Sequence, residues 1–260
     1  MRPWILSETN YGYLRDHPRE VALLPMGATE PHNLHLPYGT DIFEAEAIGS
    51  RACEQAFQQG AAVTMLPPVP YGTDTNQLGF PLAINLNPST LLCVIRDIVD
   101  SLAAQRILKL VILNGHGGND FKPVLRELYG KTSVRLFLCD WYRLAADLEH
   151  TIFSAKDDHG GEVETSLALA FFPDLVARDA RTGGLAADEG SVKPTRFDAV
   201  NKGWVSITRP WHLLTTNSGS GNPHAASAEK GRALMAVLVE RLAGFLVELA
   251  AAPIDESFPF

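Results

Sequence analysis

Two short runs carry most of the chemistry this chain can offer. In ATEPHNLHLPYGTD, the side chains of Glu30, His32, His35 and Asp41 fall within twelve positions. Carboxylate and imidazole together form a ligand set for zinc, manganese or iron(II). An incidental polar loop would explain the same residues, because the spacing alone is not specific. In NGHGGN, His116 stands among Gly115, Gly117 and Gly118. Glycines there permit positive φ and close approach of backbone to a ligand. The run matches neither glycine-rich phosphate-binding pattern and has a histidine where such loops want none, so nucleotide binding is a minor alternative. A third run, DDHGGEVETS, presents Asp158, His159, Glu162 and Glu164. Acidic residues in a helix's first turn are favoured by its dipole. That covers either glutamate well, but covers His159 beside two glycines poorly.

These runs need a scaffold that brings them together. Four short apolar stretches read as strands buried on both faces: VALLPMG ending at Gly27, AAVTMLPPV beginning at Ala61, LKLVILN ending at Asn114 and VRLFLCD ending at Asp140. Helical patterns lie between and after them, over Asp41–Gln59, Pro88–Gln105, Phe121–Tyr129, Gly161–Phe172 and Ala226–Ala251. Asn87 before Pro88 is a helix-start signal, and Leu234, Leu238, Leu242 and Leu246 make a stripe on the last helix. This alternation predicts an α/β fold with a mostly parallel central sheet between helical layers, in one domain over residues 1–260. Ligands in such sheets bind beyond the carboxyl ends of strands, and the first two runs leave strands at that edge. Arg181 to His224 breaks the alternation; its Trp204 and Trp211 fit a lid, a subunit contact or a surface excursion.

Composition limits the partners. The chain has 260 residues, 46% of them hydrophobic, and a net charge of −8. No basic cluster marks a nucleic-acid footprint. No run of about 20 apolar residues offers a membrane span. Three scattered cysteines, Cys53, Cys93 and Cys139, fit a reducing compartment better than a disulfide framework, so a cytoplasmic location is expected.

Together the motifs are more specific than any one of them. TEPHNLHLPYGTD, NGHGGN and HGGEVETS, with SGSGNPHAASAEKG near the C-terminus, resemble the creatininase (creatinine amidohydrolase) family. The resemblance implies a three-layer α/β/α domain, often in a homohexamer. It implies two divalent metals, Zn2+ or Mn2+ with Fe2+ a further choice, bridged by Asp41. Glu30 and His116 would complete one site, and His32 would join the other. The implied reaction is hydrolysis of a C–N amide-type bond, in a cyclic amide or a formamide, by a metal-activated water. His159, preceded by Asp158, is the candidate proton carrier, since imidazole titrates in the right range. The backbone of Gly117 and Gly118 is a candidate oxyanion binder.

The sequence also departs from creatininase proper. There the histidine of the second motif is followed by a tyrosine and then a metal-binding glutamate. Here those positions are Gly117 and Gly118. Glu164 is the expected replacement ligand, with Glu162 in reserve. The family's S-x-E-H segment reads Asp74, Thr75, Asn76 and Gln77, which puts creatinine itself in doubt as substrate. His35 is expected either to support the site or to be a buried structural histidine. A protein of the same fold that binds metal or a small molecule without catalysis is the main alternative.

Overall fold

The residues VALLPM form β1, Val21–Met26, and every one of them is buried. Together with β2 (Val63–Met65), β3 (Lys109–Asn114) and β4 (Arg135–Asp140) it builds one parallel sheet in the order β2-β1-β3-β4. The structure, a computed structural model, describes residues 1–154 and 159–260. The first three strands are buried throughout, as expected of a sheet covered on both faces. β4 departs from that expectation. Arg135 is exposed and the rest of the strand is half-buried at one edge of the sheet, whereas β2 at the other edge is buried throughout.

Helices cover both faces. On one side α1 (Thr40–Gln58) and α5 (Ala228–Ala251) pack on the sheet, with Ile48, Ala52, Leu234, Leu238 and Leu242 meeting Leu23, Val111 and Leu113. On the other, α2 (Pro88–Ala104) and α3 (Lys122–Leu128) bring Leu91, Ile95, Val99 and Val124 against Leu24, Leu110 and Ile112. The alternation of Leu23 with Leu24, and of Val111 with Ile112, divides each strand's side chains between the two cores. A further helix, α4 (Glu162–Phe171), lies against α5 and α1. The three-layer α/β/α arrangement is therefore the observed one. α5 starts at Ser227, whose hydroxyl accepts from the Lys230 N–H. Its other end is tied to the sheet by Lys109, whose ammonium donates to the carbonyls of Ala250 and Ala252.

Two features of this frame aim the chemistry. Met26 pairs with Asn114 and Asn114 with Asp140, so three strands end in one row. The connection through α1 leads from β1 to β2 on one side, and α2 then returns the chain to β3 on β1's other side. A crevice forms at the carboxyl ends where connections diverge in this way.

Candidate metal centre

Each candidate ligand reaches the crevice by a different route. Glu30 and His32 stand on the loop after β1, and Asp41 follows in the first turn of α1. A negative side chain is favoured at that helix end. His116 sits on the turn after β3, and two asparagines of its own motif hold that turn. Asn114 Oδ1 accepts from the His116 N–H, and Asn114 Nδ2 donates to the His116 carbonyl and to Asp140. Asn119 Nδ2 donates to Asn114 Oδ1, while its Oδ1 accepts from the Thr73 N–H at 2.9 Å. Sequence reasoning assigned these asparagines nothing. None of Gly115, Gly117 and Gly118 has positive φ; the requirement met at Gly118 is space. A Cβ there would stand 2.3 Å from His116 Nε2 and 2.6 Å from the Thr73 carbonyl oxygen.

The side chains converge on one buried cluster. His116 Nδ1 lies 2.8 Å from Glu30 Oε1 and 3.1 Å from Asp41 Oδ2. His32 Nε2 lies 2.9 Å from Asp41 Oδ1 and 3.8 Å from Glu164 Oε1. Asp41 thus faces an imidazole with each oxygen. His159 Nδ1 lies 4.0 Å from Glu30 Oε1, and its ring packs 4.2 Å from that of His32, centroid to centroid. Three sets could each surround an ion, their ligand atoms within 4.8 Å of one another: Glu30, His32 and His159; Glu30, Asp74 and His116; His32, Asp41 and Glu164. The fit is supported by buried carboxylate oxygens with no well-directed hydrogen bond, Glu30 Oε2 and, despite the nearby His116, Asp41 Oδ2.

The electrostatics follow from the crowding. Burial alone would raise Glu30 and Asp41, but the neighbouring histidines hold both carboxyls below their usual range. Burial would conversely lower His32 and His116, yet the surrounding carboxylates raise both well above the ordinary imidazole value. Glu164 is raised chiefly by burial. A divalent cation would take over the charge balance that these two histidines otherwise provide.

The remaining candidates divide. Glu164 joins the cluster and accepts from the Gly160 N–H. Glu162, the reserve ligand, does not: its carboxylate pairs with Lys230 and accepts from the Ser154 N–H and hydroxyl. Two residues apart on a helix cannot face one site. His35 is also directed elsewhere, to Thr165 Oγ1 at 2.8 Å beneath α4. Asp158 lies outside the described residues. Asp74, read in the sequence only as a departure from a family motif, is fully buried beside His116.

The cluster opens on a cavity of about 340 Å³. Gly117 and Gly118 line it beside Asn76 and Gln77, and Trp141, Tyr142, Phe153 and Trp211 form its aromatic wall. Trp211 comes from the irregular stretch after Arg181 and meets His159 edge-on at 6.1 Å. Trp204, from the same stretch, is 74% exposed and takes no part.

Known proteins resemble this chain along most of its length. The family model for creatininase, described as creatinine amidohydrolase, matches residues 7–246. A mycofactocin precursor peptide peptidase of Mycobacterium ulcerans is 30% identical over 224 residues, 84% of this chain and 81% of its own. A creatinine amidohydrolase of Pseudomonas putida is 29% identical over 248 residues, 88% of this chain and 89% of its own. Among solved structures, a Bacteroides fragilis protein assigned as a creatinine amidohydrolase superposes with a TM-score of 0.89 at 36% identity, covering 98% of this chain and all of that one.

Proposed function

The chain belongs to the creatininase family, and from that premise we propose that it is a metal-dependent amidohydrolase acting on a C–N amide-type bond, in a cyclic amide or a formamide. The observation that carries this reading is the shared cluster of Glu30, His32, Asp41, His116 and Glu164, all of which but His32 line the cavity. Two divalent ions, zinc or manganese with iron(II) a further choice, would supply a water acidic enough to ionise near neutral pH and a Lewis acid for the scissile carbonyl.

The chain's own residues divide the remaining work. Asp41, with an imidazole near each oxygen, would be shared between the two ions; Glu30 and His116 would hold one, and His32 and Glu164 the other. His159 Nε2 donates to the Pro31 carbonyl at 2.8 Å, which leaves Nδ1, turned toward Glu30, as the nitrogen available to exchange a proton. That nitrogen takes the proton of the attacking water and returns it to the leaving nitrogen. Gly117 and Gly118 line the cavity, and their backbone N–H groups are the candidate donors to a developing oxyanion.

Among the described residues, the cavity lining contains aromatic and aliphatic walls and no lysine or arginine. The aromatic and aliphatic walls favour a small amide with a flat apolar flank. The exposed Trp204, Val205 and Ile207 support a homo-oligomer, with a hexamer the state the family resemblance suggests. Among the described residues no helix is long and apolar enough to cross a membrane, and free Cys53, Cys93 and Cys139 support a reducing, cytoplasmic location.

Elemental analysis of protein purified without chelator tests the reading. Two ions per chain, falling toward one in Glu164→Ala, support a dinuclear hydrolase and justify assays on lactams and N-formyl anilines. Wild-type protein that takes up no ion on reconstitution overturns it in favour of a non-catalytic binding protein.

A further inference from the structure

Among the described residues, Asp74 is a carboxylate at this centre with no ordinary reason to be there. It sits in the loop after β2, its side chain fully buried. The backbone is fixed by the Asp74 N–H, which donates to Asn85 Oδ1 at 2.8 Å. Neither carboxylate oxygen has a well-directed hydrogen bond. The nearest partner is His116 Nε2, 3.1 Å from Asp74 Oδ1. The same nitrogen lies 3.2 Å from the Thr73 carbonyl oxygen and is better aimed at it. The two nitrogens of His116 therefore do different things. Nδ1 is turned toward Glu30 and Asp41, and Nε2 is turned back toward Thr73 and Asp74.

An imidazole can offer one nitrogen to a cation only if its proton is held on the other. Here that proton faces a carbonyl and a carboxylate at nearly equal distance. The carboxylate is the stronger acceptor, and its charge favours any positive charge the ring acquires from an ion. A buried carboxylate without such a neighbour would be costly. Gly118 keeps the arrangement possible, since a Cβ there would occupy the space between His116 Nε2 and Thr73.

We propose that Asp74 is a positioning residue for the metal centre: with the Thr73 carbonyl it holds the Nε2 proton of His116, so that Nδ1 is presented to the ion shared with Glu30 and Asp41. The inference rests on the reading of His116 as a ligand. It differs from direct ligation by Asp74, which the grouping of Glu30, Asp74 and His116 also allows.

Metal affinity, rather than activity, separates these cases. Wild type, Asp74→Asn and Asp74→Ala would be titrated with zinc against a chromophoric chelator, and their cobalt(II) forms compared by visible absorption. The expected result is full stoichiometry at saturating metal in all three, with affinity for one ion about 10-fold weaker in the asparagine variant and up to about 100-fold weaker in the alanine variant. The cobalt spectrum should keep its form. Folded variants with wild-type affinity would overturn the proposal, as would loss of one ion at saturation, which would make Asp74 a ligand. If the alanine variant does not fold, the near-isosteric asparagine variant still decides. Failure of the underlying metal-centre reading would be visible separately, as wild-type protein that binds no ion.

Discussion

His35 and His32 lie three positions apart on one loop, yet they occupy opposite electrostatic worlds. His32 is ringed by carboxylates that raise it well above the ordinary imidazole value, whereas burial first, and then the charges of His224, His32 and Arg178, push His35 down to about 4. Its partner is a threonine hydroxyl, which serves a neutral imidazole. In the unfolded chain His35 would titrate near its ordinary value of about 6.5. Between those values the unfolded state binds more protons, so His35's contribution is complete above pH ~6.5 and is lost as pH falls toward ~4. Wild type should lose on the order of 2 kcal/mol more than His35→Gln between pH 7 and pH 5. Urea unfolding at the two pH values measures this; parallel losses in both proteins would mean that His35 is not held neutral.

At the scale of the element, α4 sorts its two glutamates by helical geometry. Glu164 points into the centre, while Glu162 is fully buried against Lys230 and Ser154. Burial would raise Glu162, but the Lys230 ammonium and the Ser154 donors hold it below the usual carboxylate range. That pairing also fastens α4 to the start of α5. Lys230→Met should cost about 1–3 kcal/mol, because the buried carboxylate loses its counter-charge. The urea midpoint should fall, Glu162→Gln in the same chain should recover part of the loss, and metal content should stay at the wild-type value. A metal loss in Lys230→Met would return Glu162 to the list of ligands.

For the whole molecule, the decisive feature is the divergence of chain connections between β1 and β3, which places the loops after both strands side by side. The stretch beyond Arg181 then serves two purposes. Its Trp211 closes the cavity over His159, and its Trp204, Val205 and Ile207 remain on the surface. An isolated chain gains nothing from displaying that apolar group, whereas a subunit contact would bury it. Trp204→Glu should therefore shift the sedimentation coefficient toward a smaller species while leaving the far-ultraviolet circular dichroism unchanged. Unchanged sedimentation would locate any subunit contact elsewhere.

Much of this was legible in the order of residues alone. Continuous apolar runs such as VALLPM and KLVILN have one stable fate, burial in a covered parallel sheet, so the strands and the α/β class follow from local pattern. No single histidine and carboxylate motif was specific; their combination, and the family resemblance it carries, marked Glu30, His32, Asp41 and His116. Other features depended on contacts between segments far apart in the chain. Helical pattern could not say which of Glu162 and Glu164 turns inward, since that depends on how α4 is rotated against α5. Nothing local distinguishes Asp74 from a surface aspartate. Its meaning arises only when the loop after β2 is laid against the turn after β3, where Gly118 leaves room for His116 to reach it. The edge position of β4 was likewise fixed by strand order, a property of the folded sheet that its apolar sequence does not encode.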